Sequence, residues 1–186
     1  MKKMLDWLRS SPAIDPRSLR LPASAALDER PLSAQRMVVV DLETSGLNLQ
    51  RDQLLAIGAV VIEDGAIDLS QQFECTLCQP GHRAGASTLI HGIAPSAVAA
   101  GRDPAEALLA FMEFVDDSPL LAFHAPFDQH MLERALRETL GYRLRHPFLD
   151  VAVLAPLLCP DAPPYKGLDE WLGPVSYTHL PAHETR

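Results

Sequence analysis

The sequence predicts an α/β protein, built on one mixed five-stranded sheet with helices packed against it. Three apolar segments joined by short connections predict antiparallel strands near the start of the domain. Further along, amphipathic helical segments alternate with short apolar segments, which is typical of a mixed sheet covered by helices. The 186 residues, 47% of them hydrophobic, suffice for one core and do not demand a second domain.

The strands are predicted from runs rich in Val, Ile and Leu that end at turn residues. The second and third strands meet at Asp64-Gly65, a dipeptide typical of a tight hairpin turn, so the first three strands are expected to form a meander. The five predicted strands lie within residues 36–43, 53–64, 65–77, 119–123 and 146–150.

Two long helices have clear sequence signals. In the first, Asp103 can cap the helix, Pro104 suits its first position and Glu106 its third. The second follows the fourth strand, and it places Asp128 on the same side as its apolar residues. An acid is therefore expected on the buried side of a helix start. Shorter helices are predicted after His91, after the fifth strand and within residues 165–173.

Residues 1–35 differ in composition from the rest of the chain. Four prolines interrupt this stretch, so we expect a short helix followed by an extended, proline-rich arm. The prolines are Pro12, Pro16, Pro22 and Pro31.

Composition and charge exclude several classes of protein. No apolar run approaches the ~20 residues of a membrane helix, and the first residues lack the apolar core of a signal peptide. Three cysteines are too few for a disulfide scaffold, which favours a reducing, cytoplasmic location. The net charge of −8 argues against a protein that holds long duplex DNA by its phosphates.

Two acidic residues end the first predicted strand. Asp41 and Glu43 are separated by one residue, so both side chains face the same side of the sheet. Asp128 joins them at one sheet edge if strands one and four are neighbours. Carboxylates without a soft ligand suit Mg²⁺ or Mn²⁺, and two such ions could clamp a phosphodiester. The alternatives are a strand end that turns into solvent and, for Asp128, a simple helix cap.

The segments around these acids resemble the motifs of the DEDD 3′–5′ exonucleases, which include the epsilon subunit of bacterial DNA polymerase III, ribonuclease T and oligoribonuclease. VVVDLETSGLN, residues 38–48, resembles the first motif, and AFHAPFDQHML, residues 122–132, resembles the second. LIHGI resembles the segment whose histidine touches the terminal nucleotide, whereas His124 stands where the family usually has asparagine. The resemblance covers residues 36–173 and implies a ribonuclease H-like fold.

The resemblance also implies a role for each matching residue. Asp41 would be a ligand shared by two Mg²⁺ (or Mn²⁺) ions, Glu43 would bind the hydrolytic ion, and Asp128 would hold the second ion, largely through water. His91 has the alternative of an ordinary loop histidine. The residues expected to contact the terminal nucleotide or line its pocket are Thr44, Ser45, Gly46, Leu47, His91 and Phe127.

The third family motif, a general-base histidine followed five residues later by a fourth metal-binding aspartate, is not matched. His179 and Glu184 imitate only its spacing. VSYTHL reads like the in-frame translation of a transposon-end sequencing adapter, so residues 175–186 are expected to be a non-native tail. A natural, divergent ending is the alternative. The expected organisation is thus an arm at 1–35 and an exonuclease domain at 36–174 that lacks its C-terminal helix.

The expected function is hydrolysis at the single-stranded 3′ end of DNA, with release of nucleoside 5′-monophosphates and possible association with a DNA polymerase subunit. Loss of a general base typically lowers a rate by ~10²–10⁴-fold, so this chain is expected to be weak or inactive. The alternatives are an exoribonuclease that acts on RNA and a catalytically dead nucleic-acid-binding module.

Overall fold

A five-stranded sheet forms the centre of the protein. The computed structural model describes residues 13–25, 27, 29–85, 87–163 and 167–171. The strands lie in the order β3-β2-β1-β4-β5, which confirms the predicted mixed sheet. They are β1 (Met37–Thr44), β2 (Leu54–Glu63), β3 (Ala66–Thr76), β4 (Leu120–Ala122) and β5 (Phe148–Asp150).

The pairing of the strands brings the two predicted acidic motifs to neighbouring strands. β1 pairs antiparallel with β2, and β2 pairs antiparallel with β3, as predicted for the meander. β1 and β4 pair in parallel, as do β4 and β5. The β2–β3 turn has positive φ at both Asp64 and Gly65, 52° and 74°, which suits the right-handed twist of a hairpin.

Helices flank the sheet at the predicted places, and one further short helix, which was not predicted, ends at His91. The Asp103 carboxylate accepts hydrogen bonds from the amides of Ala105 and Glu106 at 2.9 and 3.2 Å, which confirms the predicted cap. The helices are α1 (Thr88–His91), α2 (Pro95–Ala99), α3 (Pro104–Val115), α4 (Pro126–Leu140) and α5 (Val151–Leu158). Within the part of the chain that is described, no helix is long and apolar enough to cross a membrane.

The core lies between α3, α4 and one face of the sheet. Val38, Val40 and Leu42 point into it and are 0%, 2% and 7% exposed. Their partners in the core include Phe111 of α3 and Leu132 of α4, both fully buried. Because side chains alternate along a strand, Asp41 and Glu43 point to the opposite face, which we call the open face.

The open face also carries an apolar groove away from the acids. Met37, Ile62 and Leu121 contribute to it from the sheet, and Leu154 and Leu158 from α5. Leu158 is 68% exposed. The groove therefore leaves apolar side chains of the described residues uncovered on this face.

The described residues of the arm that precedes β1 include two 3-10 helices, Pro16–Arg20 and Leu32–Ala34. The amide of Asp15 donates to the carbonyl of Leu140 at 2.9 Å. The predicted N-terminal helix, the tail at 175–186 and His179 lie outside the described residues, so the domain boundaries stay predictions. Of the predicted helix within residues 165–173, residues 168–171 are described and helical.

Candidate active site

Asp41 and Glu43 lie near the carboxyl end of β1, on the open face. Leu42 between them is 7% exposed and packs into the core, whereas Asp41 is exposed and Glu43 is half-buried. The alternation along β1 therefore confirms that the two carboxylates face the same side. Burial of Leu42 fixes the direction in which both acids point.

The position opposite Asp41 leaves room on the open face. Asp41 pairs with Gly58 of β2, and directly opposed residues in a sheet share a face. A Cβ atom at Gly58 would meet only the Asp41 carbonyl oxygen, at 3.9 Å. The surface beside Asp41 is therefore open to a ligand.

Asp128 reaches the same edge of the sheet from the first turn of α4. β4 runs parallel to β1, so the carboxyl ends of both strands lie at the same end of the sheet. The turn after β4 therefore starts α4 close to the end of β1. Asp128 is only 6% exposed. Burial and the nearby charge of Asp41 raise its pKa to about 6, while hydrogen bonding to the backbone of Leu42 acts in the opposite direction.

Glu43 also lies close enough to Asp41 to be affected by its charge. Its pKa is raised by partial burial and by the charge of Asp41, and His91 opposes that increase. Asp41 therefore interacts electrostatically with both other carboxylates, and His91 interacts with Glu43. The structure brings together the three acids and the histidine that sequence singled out.

His91 presents one ring nitrogen that could bind a ligand. Its Nδ1 accepts a hydrogen bond from the Ile93 amide at 3.0 Å, so in the neutral ring the proton lies on Nε2. That Nε2 is buried and has no hydrogen-bond partner among the described residues. It can therefore donate to an oxygen of a bound molecule.

The donor set fits hard divalent cations, although it is not a complete metal site. In the described ranges, no three His, Cys, Asp or Glu side chains are arranged to hold one ion together. A cation next to Asp41 would nevertheless offset the charge of Asp41, which adds to the effect of burial in raising the pKa of Glu43 and of Asp128. Mg²⁺ commonly binds through one or two carboxylates and completes its shell with water and phosphate oxygens.

The loop from Thr44 to Gln53 is tightly hydrogen-bonded. The Thr44 hydroxyl donates to the Gly46 carbonyl at 2.8 Å, and the Ser45 amide donates to the Gln53 carbonyl at 2.9 Å. Ser87 joins this loop to α1 by donating its hydroxyl to the Ser45 carbonyl at 3.0 Å. The loop that carries the predicted nucleotide contacts is therefore joined to the start of the helix that ends at His91, and Thr44 itself is only 7% exposed.

Two further predicted contacts differ in their surroundings. Leu47, at the tip of the loop, is 84% exposed, which is high for an apolar side chain. Phe127 is half-buried and packs against the core at the start of α4. Their contacts with a nucleotide stay predictions.

Three residues of the site were missed by sequence reasoning. Asp52 accepts hydrogen bonds from the Asn48 amide at 2.7 Å and the Ser45 hydroxyl at 3.2 Å. Arg134 of α4 donates to the carbonyls of Leu49 and Asp52. The third residue is Asp150. Asp150 had a local signal, since aspartate is favoured as a helix N-cap and its side chain accepts from the Ala152 amide. Nothing in the sequence around Arg134 indicates its partners.

Asp150 supports the turn that leads to Asp128. Its Oδ1 accepts hydrogen bonds from the amides of His124 and Ala152, at 3.0 and 2.9 Å. His124 has a φ of 59°, a conformation that asparagine adopts more readily than most residues. The family's usual asparagine at this position therefore has a backbone reason, and Asp150 holds the same turn from β5.

The region that carries these motifs is similar to known exonuclease and DNA polymerase III sequences. The RNase_T family model, described as an exonuclease, matches residues 38–180. A DNA polymerase III subunit epsilon-like protein of Rhodobacter capsulatus is 37% identical over 134 residues, 70% of this chain and 19% of the relative. A PolC-type DNA polymerase III of Thermotoga petrophila is 34% identical over 119 residues, 63% of this chain and 8% of the relative.

A solved structure shares the fold. E. coli exonuclease I in complex with a dT13 oligonucleotide gives a TM-score of 0.53 at 16% identity, over 73% of this chain and 32% of that chain. At this identity the likeness shows the ribonuclease H-like exonuclease fold alone. The chain spans less than a fifth of the length of the two polymerase relatives.

Proposed function

The chain belongs to the RNase_T exonuclease family, and we propose that it removes nucleotides from the 3′ end of single-stranded DNA by metal-dependent hydrolysis. Each cycle would break the terminal phosphodiester and release a nucleoside 5′-monophosphate. The observation that carries this proposal is the arrangement of three acids at one end of the sheet: Asp41 and Glu43 lie on one side of β1, and Asp128 lies in the first turn of the helix that follows β4, the parallel neighbour of β1.

The proposed cofactors are two Mg²⁺ or Mn²⁺ ions, held by Asp41, Glu43 and Asp128. Bound ions of this kind polarise a phosphodiester and make water a better nucleophile. Asp41, exposed and central to the three acids, would be shared between the ions. Asp128, buried in the first turn of α4, would act at greater distance through water.

The remaining residues would bind and orient the terminal nucleotide. His91 would donate its Nε2 proton to a phosphate or sugar oxygen, because that nitrogen has no partner within the described chain. The backbone of Ser45 and Gly46 would lie along the sugar, and exposed Leu47 would pack against the base. Phe127 would line the far side of the pocket.

DNA is the proposed substrate because both polymerase relatives are named for DNA synthesis. The solved neighbour is described as a complex with a dT13 oligonucleotide. The net charge of −8 fits a grip on a few nucleotides rather than on long duplex. A DNA polymerase subunit is the proposed partner, and the free cysteines suit a reducing cytoplasm.

One observation favours a second function, a nucleic-acid-binding module without catalysis. The family's third motif, a general-base histidine with a metal-binding aspartate five residues later, is imitated only in its spacing, by His179 and Glu184. A chain without a positioned general base would hydrolyse its substrate about 10²–10⁴-fold more slowly. The chain would then release the 3′ end more often than it cleaves it.

The test is release of nucleotide from a 3′-labelled single-stranded oligodeoxynucleotide in Mn²⁺. We expect slow release by the intact chain and a loss of about 10³-fold in the Asp41→Ala variant, because several kcal/mol of metal-dependent stabilisation disappear. Glu74→Ala is the matched control, since Glu74 lies in the same row of the sheet as Asp41, with Gly58 between them.

Each outcome separates the candidates. Equal release by the intact chain and Asp41→Ala contradicts the metal mechanism. Binding of the oligonucleotide with no release favours the binding module. Faster release from an oligoribonucleotide of the same sequence would favour an exoribonuclease over a DNA exonuclease.

A further inference from the structure

We infer that Arg134 and Asp52 are positioning residues that hold the loop at 44–53 in the shape that receives the 3′-terminal nucleotide. What the loop receives rests on the proposed function. How the loop is held rests on contacts within the chain alone.

Arg134 clamps the loop from α4. Its guanidinium donates to two loop carbonyls, those of Leu49 and Asp52, from two different nitrogens. The Arg134 side chain is 11% exposed, and a carboxylate oxygen of Glu138 lies 4.0 Å from its Nε atom. A planar guanidinium can bridge two carbonyls in this way, whereas a lysine ammonium cannot reproduce its fixed fork.

Asp52 holds the loop from within. Its two carboxylate oxygens accept hydrogen bonds from the Asn48 amide and the Ser45 hydroxyl. These bonds tie the end of the loop to its beginning. Together with Arg134, they fix the residues on both sides of the exposed Leu47 tip.

Gly46 leaves the space that the Asp52 carboxylate occupies. A Cβ atom at Gly46 would lie 2.5 Å from the Asp52 Oδ2 atom. Any other residue at this position would displace a carboxylate that two hydrogen bonds hold in place. The loop therefore requires glycine at position 46 for its own packing, whether or not the substrate also approaches the backbone there.

The clamp links the two halves of the candidate site. Arg134 and Asp128 lie on the same helix, α4, and the loop continues directly from β1, which carries Asp41 and Glu43. A shift of the loop relative to α4 would weaken the hold of the loop on the nucleotide beside the carboxylates. Burial of a guanidinium is costly unless it is well bonded, so a loop that served only as a connection would not need this contact.

The test compares two arginines that each bridge two backbone carbonyls. Arg36 donates to the carbonyls of Val115 and Phe114 at 3.0 and 3.2 Å, at the start of β1 and away from the acids. Arg134→Met and Arg36→Met therefore remove the same kind of clamp from opposite ends of the strand. Asp52→Ala tests the same loop independently if Arg134→Met proves too unstable to purify.

The first readout is hydrogen exchange of the loop amides in the intact chain. We expect the amides of residues 48–53 to exchange about tenfold faster in Arg134→Met, and to change less than about twofold in Arg36→Met. Unchanged exchange in Arg134→Met overturns the inference, whatever the activity of the chain. Equal acceleration in both variants also overturns it.

The second readout is binding of thymidine 5′-monophosphate in Mn²⁺, together with nucleotide release. We expect Arg134→Met to weaken binding and raise KM by about tenfold, while kcat changes less than about threefold, because the carboxylates are untouched. A KM equal to that of the intact chain overturns the positioning role. An intact chain that neither binds nor releases nucleotide refutes the proposed function, and the exchange comparison then still decides how the loop is held.

Discussion

The side chains of β1 have different surroundings on the two faces of the sheet. On the covered face, Val38, Val40 and Leu42 are at most 7% exposed and pack against α3 and α4. On the open face, Asp41 and Glu43 alternate with them and meet Asp128. One strand therefore supplies the core with every second residue and the candidate site with the residues between.

This difference shows that the core supplies the stability of the fold, whereas the acids of the candidate site oppose folding. Burial of aliphatic side chains on the covered face stabilises the fold. At the candidate site, burial and, to a smaller extent, repulsion by Asp41 raise the pKa of Glu43 and of Asp128, so their ionisation opposes folding. A bound cation would remove part of that opposition.

Asp128→Asn should change the pH dependence of stability more than any other single change at the candidate site. The pKa of Asp128 rises from 3.8 to about 6 on folding, so between these values the folded state binds more protons than the unfolded state. Stability from this group is present below pH 4 and is lost as pH rises through 6, by on the order of 3 kcal/mol.

Urea denaturation without divalent cations, from pH 4 to 7, measures this effect. The intact chain should lose stability relative to Asp128→Asn across the window, because asparagine cannot ionise. Parallel curves for the two proteins would show that Asp128 is not held near Asp41 as described.

Val38→Ala and Val39→Ala compare the two faces with the same substitution at adjacent positions. Val38 is fully buried in the core, and Val39 is half-buried on the open face. We expect a loss of about 2–3 kcal/mol for Val38→Ala and about 1 kcal/mol for Val39→Ala, since the first also leaves a cavity. Equal losses in the free energy of unfolding would contradict the assignment of the faces.

Asp150→Ala and Asp103→Ala compare two helix caps, one beside the site and one away from it. Each carboxylate accepts two backbone amide hydrogen bonds, so each variant should lose about 1 kcal/mol of stability. Only Asp150→Ala should also weaken Mn²⁺ binding, because Asp150 fixes the turn before Asp128. Asp150→Asn keeps the accepting oxygen and should restore most of that binding. Equal Mn²⁺ affinity in both alanine variants would remove Asp150 from the site.

Local patterns predicted much of this molecule. The alternation of apolar residues in β1 gave the direction of Asp41 and Glu43, and the Asp103-Pro104 pair gave the start of α3. The spacing of apolar residues in α4 placed Asp128 on the buried side. Each of these features depends on neighbours within a few positions.

Contacts between distant segments could not be read in the same way. The clamp by Arg134 joins positions 82 and 85 residues apart, and its partners are backbone carbonyls, which no residue type marks. Asp150 meets the amide of His124 across 26 residues. The register shift between Val60 and Val61 likewise depends on how β2 and β3 settle against each other, since a bulge is fixed by pairing.

Titration of the intact chain with Mn²⁺ at pH 7.5, beside Asp41→Asn and Glu74→Gln, tests the central claim most directly. Asp41→Asn keeps the size of the side chain and removes the charge that couples Glu43 and Asp128. We predict saturable Mn²⁺ binding by the intact chain and by Glu74→Gln, and a loss of about tenfold or more in affinity for Asp41→Asn. Equal binding by all three proteins would contradict a metal site at the end of β1.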